Sequence, residues 1–128
     1  MVSNIRMQVL IIDSSTQIIE RWKEIISEAE NITTIHSAVS YKEAKKLLKE
    51  NKYDAVLLDI DLPENESLKL LREIKTVDGD TSVILLFTHI DNYIQEQCKS
   101  LGVNFFFDKY YDFEKISGLL SSVSYINR

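Results

Sequence analysis

The sequence contains few of the residues that cross-link or interrupt a chain. Its 128 residues include one cysteine, Cys98, one proline and three glycines. A single cysteine excludes an internal disulfide and favours a reducing cytoplasm. So little proline and glycine argues against disorder, collagen-like structure and long linkers.

Long apolar runs and an excess of positive charge are also missing. Every apolar stretch is far shorter than the roughly 20 residues that cross a bilayer, and the first residues do not resemble a signal peptide. Lysine and arginine number 15 against 20 acidic residues, which gives a formal net charge of −5. This balance argues against non-specific binding to nucleic acid or to an anionic membrane surface.

The composition is that of one folded domain. The length lies within the usual range for a single core, and 45% of the residues are hydrophobic. We therefore expect one domain over residues 1–128.

Apolar patterning predicts five strands that alternate with five helices. The strands are short, rich in β-branched residues and bounded by helical patterns long enough for parallel crossovers. This order predicts an α/β fold with an open, doubly wound parallel sheet and helices on both faces. The predicted strands span residues 8–13, 32–39, 53–59, 82–88 and 103–108.

Polar residues that precede the apolar stripes predict where several helices begin. Ser14 with Gln17 and Ser40 with Glu43 have the spacing of capping boxes. Asp91 is placed to cap the fourth helix.

Side chains capable of chemistry follow the predicted strands. Asp13 ends the first strand, Asp59 ends the third with Asp61 two residues on, Thr88 ends the fourth, and Lys109 follows the fifth. Parallel strands bring these groups to one edge of the sheet, where α/β folds bind ligands. Crowded carboxylates raise each other's pKa unless a cation joins them, and oxygen ligands in a partly wet site suit Mg²⁺.

Other chemistries have weaker support. The segment after the first strand has no glycine for a phosphate loop, and no cysteine–histidine spacing suggests zinc. Ser14 or Ser15 with His36 or His89 is a conceivable nucleophile–base pair, but no nucleophile-elbow motif accompanies it.

The strand and loop at residues 53–63, YDAVLLDIDLP, with the following helix segment LKLLREI at 68–74, resemble a bacterial response-regulator receiver domain. Asp13, Thr88 and Lys109 match the remaining landmarks in order, and the resemblance covers nearly the whole chain. It implies a flavodoxin-like sheet of strand order 2-1-3-4-5. It also implies a cytoplasmic role in two-component phosphorelay signalling.

The resemblance assigns the acidic residues to phosphoryl transfer. Asp59 matches the phosphoacceptor, a carboxylate nucleophile that also contacts the metal. Asp13 matches an Mg²⁺ ligand, and Asp61 occupies the position that supplies a backbone carbonyl to the metal. Ser14 stands where most members have a second acid. It is a neutral candidate ligand, so weaker Mg²⁺ binding is expected.

The resemblance assigns the remaining landmarks to the response. Lys109 matches the lysine that pairs with the acceptor and then the phosphate, and Thr88 matches the switch hydroxyl. Phe106 matches the aromatic residue whose ring follows that switch. His89 stands where a small residue is common and is expected at the pocket rim, and Tyr110 replaces a usual proline.

The sequence is compatible with two functions. The first is a phosphorylation switch, with stoichiometric self-phosphotransfer and slow autodephosphorylation rather than turnover. Its partners would be a histidine kinase or phosphotransfer protein and a downstream protein on the helix 4–strand 5–helix 5 face; a homodimer is possible. The alternative is a phosphorylation-independent pseudo-receiver that acts as an interaction module.

Several aromatic residues lie near the helix 4–strand 5–helix 5 face: Tyr93, Phe106, Tyr110 and Tyr111.

Overall fold

A computed structural model describes residues 6–77, 79–103 and 105–126 and shows a five-stranded parallel sheet of order β2-β1-β3-β4-β5. The predicted fold and strand order are therefore confirmed. The strands are β1 Met7–Ile12, β2 Ile32–Ala38, β3 Ala55–Asp59, β4 Ser82–Phe87 and β5 Phe105–Asp108. The helices are α1 Thr16–Ile26, α2 Tyr41–Glu50, α3 Glu66–Val77, α4 Asn92–Ser100 and α5 Phe113–Ile126, and a short 3₁₀ helix spans Pro63–Asn65.

The apolar core forms two layers because successive side chains of a strand point to opposite faces of the sheet. Leu10 and Ile12 of β1 pack toward α2, α3 and α4, whereas Val9 and Ile11 pack toward α1 and α5. On the second face, Trp22 of α1 stacks on Phe113 of α5 with ring centroids 4.0 Å apart. Helices thus cover both faces of the sheet, and the edges of the sheet remain for a functional site.

The strand register aligns the carboxyl ends of the central strands. Ile12 pairs with Leu58, Asp59 with Leu86, and Phe87 with Asp108. The loops that follow β1, β3, β4 and β5 therefore begin at one edge of the sheet, as the sequence pattern predicts.

The helix caps confirm two predictions and correct a third. Ser40 accepts a hydrogen bond from the Glu43 N–H at 3.2 Å, and Asp91 accepts one from the Ile94 N–H at 2.8 Å. The cap of α1 is Ser15, which accepts from the Ile18 N–H, rather than the predicted Ser14. Ser15 has the extended backbone typical of a helix cap, and its N–H donates to Asp13 Oδ1 at 2.9 Å.

Within the described ranges, none of the helices is both long and apolar enough to cross a bilayer.

Candidate functional site

Three buried charged side chains meet at the carboxyl edge of the sheet. The Lys109 Nζ lies 2.7 Å from Asp13 Oδ2 and 2.9 Å from Asp59 Oδ1. All three residues are almost completely buried, with Asp13 fully inaccessible and Asp59 only 1% exposed. One ammonium group therefore joins two carboxylates that come from different strands.

The backbone at the strand ends holds this group of charges in place. The Asp13 N–H donates to the Ala38 carbonyl at 3.1 Å, and the Lys109 N–H donates to the Phe87 carbonyl at 2.8 Å. These bonds extend the sheet ladder by one residue beyond β1 and β5. Asp13 and Lys109 are therefore positioned by backbone hydrogen bonds to the neighbouring strands.

Burial and neighbouring groups raise the pKa values of Asp59 and Lys109. Loss of water raises the pKa of Asp59, and this effect outweighs the Asp61 backbone hydrogen bond and the Lys109 contact that oppose it. Burial alone would lower the pKa of Lys109, but hydrogen bonds and charges from Asp13 and Asp59 prevail and raise it. The lysine is thus held in its charged form between the acids.

The loop after β3 links Asp59 to the end of β4. The Asp61 N–H donates to Asp59 Oδ1 at 2.9 Å, so Asp59 Oδ1 receives both a backbone and an ammonium donor. The Asp61 side chain is exposed and turns to Thr88, whose hydroxyl donates to Asp61 Oδ2 at 3.3 Å. Asp61 therefore contacts Thr88 through its side chain and Asp59 through its backbone.

Sequence reasoning did not identify Ser67 as part of this region. Ser67 is 1% exposed, its hydroxyl donates to the Asp59 carbonyl, and its oxygen accepts from the Leu62 N–H at 3.3 Å. The side chain thus ties the first turn of α3 to both ends of the loop. No spacing or hydropathy pattern in the sequence marks this serine as part of the site.

The same loop contains two non-glycine residues in the left-handed region. Glu64 has φ 57° and Asn65 has φ 59°. Asparagine tolerates this conformation better than other L-residues, whereas glutamate adopts it at a steric cost.

The other predicted site residues lie around the charged group rather than in it. Ser14 is exposed, and Phe106 is half-buried against the core layer formed with α2, α3 and α4. His89 is exposed and lines a cavity of about 210 Å³ together with Asp61 and Asn65.

A hydrogen-bonded turn follows Lys109 where the family usually has proline. Asp108 Oδ1 accepts from the N–H groups of Tyr110 and Tyr111 at 2.7 and 2.9 Å, and Asp112 Oδ2 accepts from the Asp108 N–H. The Lys109–Tyr110 peptide bond is trans. Two aspartates, Asp108 and Asp112, therefore shape the turn that follows Lys109.

The donor set is compatible with a magnesium ion that keeps most of its waters. Within the described ranges, no three histidine, cysteine or acidic side chains converge as a metal cluster. However, Mg²⁺ commonly uses only one or two carboxylates. Asp13 Oδ2 has no hydrogen-bond donor in suitable geometry beyond its ion pair, so this buried oxygen has unused capacity for a cation.

Comparison with known proteins agrees with this geometry. The response regulator receiver domain family matches residues 9–121. The chain belongs to this family, whose members are signalling modules of two-component systems rather than conventional enzymes.

Individual relatives support the same assignment. The Bacillus subtilis protein CcdB is 28% identical over 116 residues, which are 91% of this chain and 96% of that protein. The probable C4-dicarboxylate response regulator DctR of B. subtilis is 30% identical over 79 residues, 62% of this chain but only 35% of the relative. The chain thus spans only part of the length of some relatives.

A solved structure supports the fold. A CheY-like response regulator receiver domain protein from Methanospirillum hungatei superposes with a TM-score of 0.86 at 16% identity, covering 95% of this chain and 96% of that one.

Proposed function

We propose that this receiver domain is a cytoplasmic phosphorylation switch in which Asp59 accepts a phosphoryl group from a histidine-kinase or phosphotransfer partner. The observation that carries the proposal is the environment of the Asp59 carboxylate. Its Oδ1 accepts from the Asp61 N–H and lies 2.9 Å from Lys109 Nζ. This leaves Oδ2 of the same carboxylate as the nucleophile.

The transfer is an in-line displacement at phosphorus. Asp59 Oδ2 forms the new P–O bond, while the P–N bond of the donor phosphohistidine breaks and its electron pair stays on the imidazole nitrogen. Lys109 is near enough to follow with an ion pair to a phosphoryl oxygen. Attack of water later releases inorganic phosphate and restores Asp59, so the phosphotransfer is stoichiometric and is followed by slow autodephosphorylation.

Asp13, Asp59 and the backbone carbonyl of Asp61 are the proposed ligands of Mg²⁺, with Ser14 as a neutral and weaker fourth. A bound Mg²⁺ would neutralise charge between these oxygens and the phosphoryl group. The residues of the chain have a separate task, which is to keep Asp59 buried, oriented and out of contact with bulk water.

The response begins at Thr88. Its hydroxyl must leave Asp61 before it can hydrogen-bond to a phosphoryl group on Asp59, and Phe106 on the neighbouring strand would follow that movement. The adjoining surface exposes three tyrosines, Tyr93, Tyr110 and Tyr111, at 70, 56 and 88% of their surfaces. Exposed aromatic side chains are typical of protein interfaces, so a downstream partner or a second copy of the chain is proposed to bind there.

Two observations favour a second candidate, a pseudo-receiver that binds partners without phosphate. Ser14 contributes no carboxylate, and the Asp61 side chain is directed to Thr88. The metal site would then depend on two acids that Lys109 already neutralises in part. The intact acceptor geometry at Asp59 favours the switch.

Intact-mass spectrometry after incubation with acetyl phosphate tests the choice, with and without Mg²⁺, on the wild type and Asp59→Asn. The switch requires a phosphoryl adduct that depends on Mg²⁺ and is absent from the variant. A wild-type protein that is folded by circular dichroism and gains no adduct at high Mg²⁺ would establish the pseudo-receiver instead.

A further inference from the structure

A second cavity lies at the opposite edge of the sheet from Asp59. It has a volume of about 350 Å³ and is formed by the last turns of α2 and α3 with the segments that lead into β3 and β4. This volume is at the lower end of the range of small-molecule sites. Its distance along the strands from the carboxylates separates it from the phosphorylation chemistry.

The interior of this cavity is apolar because its polar groups are already satisfied. Tyr53 and Ile74 are each 4% exposed, and the Tyr53 hydroxyl lies 2.6 Å from His36 Nδ1. Thr81 donates its hydroxyl hydrogen to the Tyr53 carbonyl at 2.9 Å. A water molecule in the cavity would have few hydrogen-bond partners, so the cavity favours an apolar ligand.

Apolar side chains continue from the interior to the rim of the cavity. Leu48 lines its α2 side, and Val77 lines its α3 side with 84% of its surface exposed. A valine this exposed gains from contact with an apolar ligand.

The rim carries uncompensated positive charge. Lys45 and Glu73 neutralise each other with an ion pair of 3.5 Å. Lys49 and Lys52 also line the cavity, and within the described part of the chain neither has an ion pair or hydrogen bond. Glu50 acts on the Tyr53 hydroxyl electrostatically but does not line the cavity. Two free ammonium groups on a chain of net charge −5 select for an anion.

We propose that the cavity between α2 and α3 binds a small amphipathic carboxylate, with its apolar body against Tyr53, Ile74 and Val77 and its carboxylate at Lys49 and Lys52. The apolar walls account for the body of the ligand, and the two lysines account for the sign of its head group. The site does not depend on phosphorylation of Asp59.

Three probes with the same alkyl chain and different head groups test the proposal. The ¹⁵N-labelled protein is titrated with octanoate, octanol and octylammonium below their micelle concentrations, and amide shifts are followed by NMR. Octanoate should shift the amides of Tyr53, Ile74 and Thr81 and bind about tenfold more tightly than octylammonium. Equal affinities, or octanoate-induced shifts scattered over the surface, would overturn the proposal.

Two variants and a matched control locate the site. The double variant Lys49→Gln/Lys52→Gln should bind octanoate more weakly than the wild type and octanol equally well. The control Lys42→Gln/Lys46→Gln, which removes two exposed charges of α2 outside the cavity, should match the wild type. Val77→Glu should weaken octanoate binding because it adds a charge of the same sign as the carboxylate. The variant should still fold because position 77 is exposed. Octanoate binding unchanged in both cavity variants contradicts the assignment.

Discussion

Asp13 directly follows β1, Asp59 ends the adjacent strand β3, and the two share one ammonium group, with Lys109 Nζ at 2.7 Å from the first and 2.9 Å from the second. One cation between two buried carboxylates leaves the group one negative charge in excess. A substitution, a bound proton or a phosphoryl group at any of these three residues therefore changes the net charge of the buried group. Removal of the cation and removal of one acid should have opposite effects on stability.

Lys109→Met should destabilise the protein. The substitution leaves two buried carboxylates without a cation, and breaking a buried ion pair in this way costs about 3–5 kcal/mol. We expect a loss of this order in urea unfolding at pH 7 without divalent metal, and partial recovery in Lys109→Met/Asp59→Asn. Lys115→Met is the matched control because the Lys115 side chain is 70% exposed. An equal loss in both single variants would contradict a special role for the buried lysine.

Asp59→Asn should stabilise the protein at neutral pH. Burial raises the pKa of Asp59, so the folded state binds this proton more tightly than the unfolded state does. The free energy of unfolding of the wild type should therefore fall as pH rises from the ordinary value of 3.8 through the raised pKa. Asp59→Asn has no carboxylate to ionise and should not lose this free energy of unfolding. Its stability relative to the wild type should therefore increase as pH rises from 3.8 through the raised pKa, and the difference should vanish below pH 3.8, as measured by urea unfolding without divalent metal.

Asp112→Asn provides a control of opposite sign. The Asp108 backbone N–H and then Lys115 lower the pKa of Asp112, so its carboxylate contributes stability above the ordinary pKa that is lost as pH falls through the lowered value. This variant should be slightly less stable than the wild type at neutral pH. If Asp59→Asn also lost stability there, the charge of Asp59 would be favourable rather than costly.

The sequence predicted the fold and the convergence of Asp13, Asp59 and Lys109 because both follow from strand order. Apolar runs of strand length, each followed by a polar residue, determine which side chains reach the carboxyl edge of a parallel sheet. Loop contacts were less predictable, since no periodicity constrains them. The pairing of Asp61 with Thr88 depends on side-chain direction in a loop, and the choice of Ser15 rather than Ser14 as the cap of α1 depends on local backbone conformation.

Ser67 shows a further limit of prediction from pattern. A buried hydroxyl that bonds two backbone groups of the same loop has no signature in spacing or hydropathy. Ser67→Ala should lower the free energy of unfolding by about 1–3 kcal/mol, because the Asp59 carbonyl and the Leu62 N–H lose their shared partner. Ser100→Ala is the control: this serine is exposed and its hydroxyl donates to the Gln97 carbonyl on the helix surface. Similar small losses in both variants would show that the buried contacts contribute little.

Asp61→Ala should accelerate phosphorylation if the proposed switch is correct. The Thr88 hydroxyl would no longer be held at 3.3 Å by the Asp61 carboxylate, and one negative charge would leave the path of an anionic phosphodonor. We expect the adduct with acetyl phosphate to accumulate severalfold faster at saturating Mg²⁺, measured as a time course of intact mass.

Glu64→Gln separates the two causes of this effect. It removes one charge from the same exposed loop without touching Thr88, so it should give only the electrostatic part of the acceleration. If Asp61→Ala instead slows phosphorylation and raises the Mg²⁺ concentration required for half-maximal rate, then the Asp61 side chain serves the metal. In that case its bond to Thr88 exchanges for a metal contact when Mg²⁺ binds, and the serine at position 14 is compensated by an acid two residues beyond the acceptor.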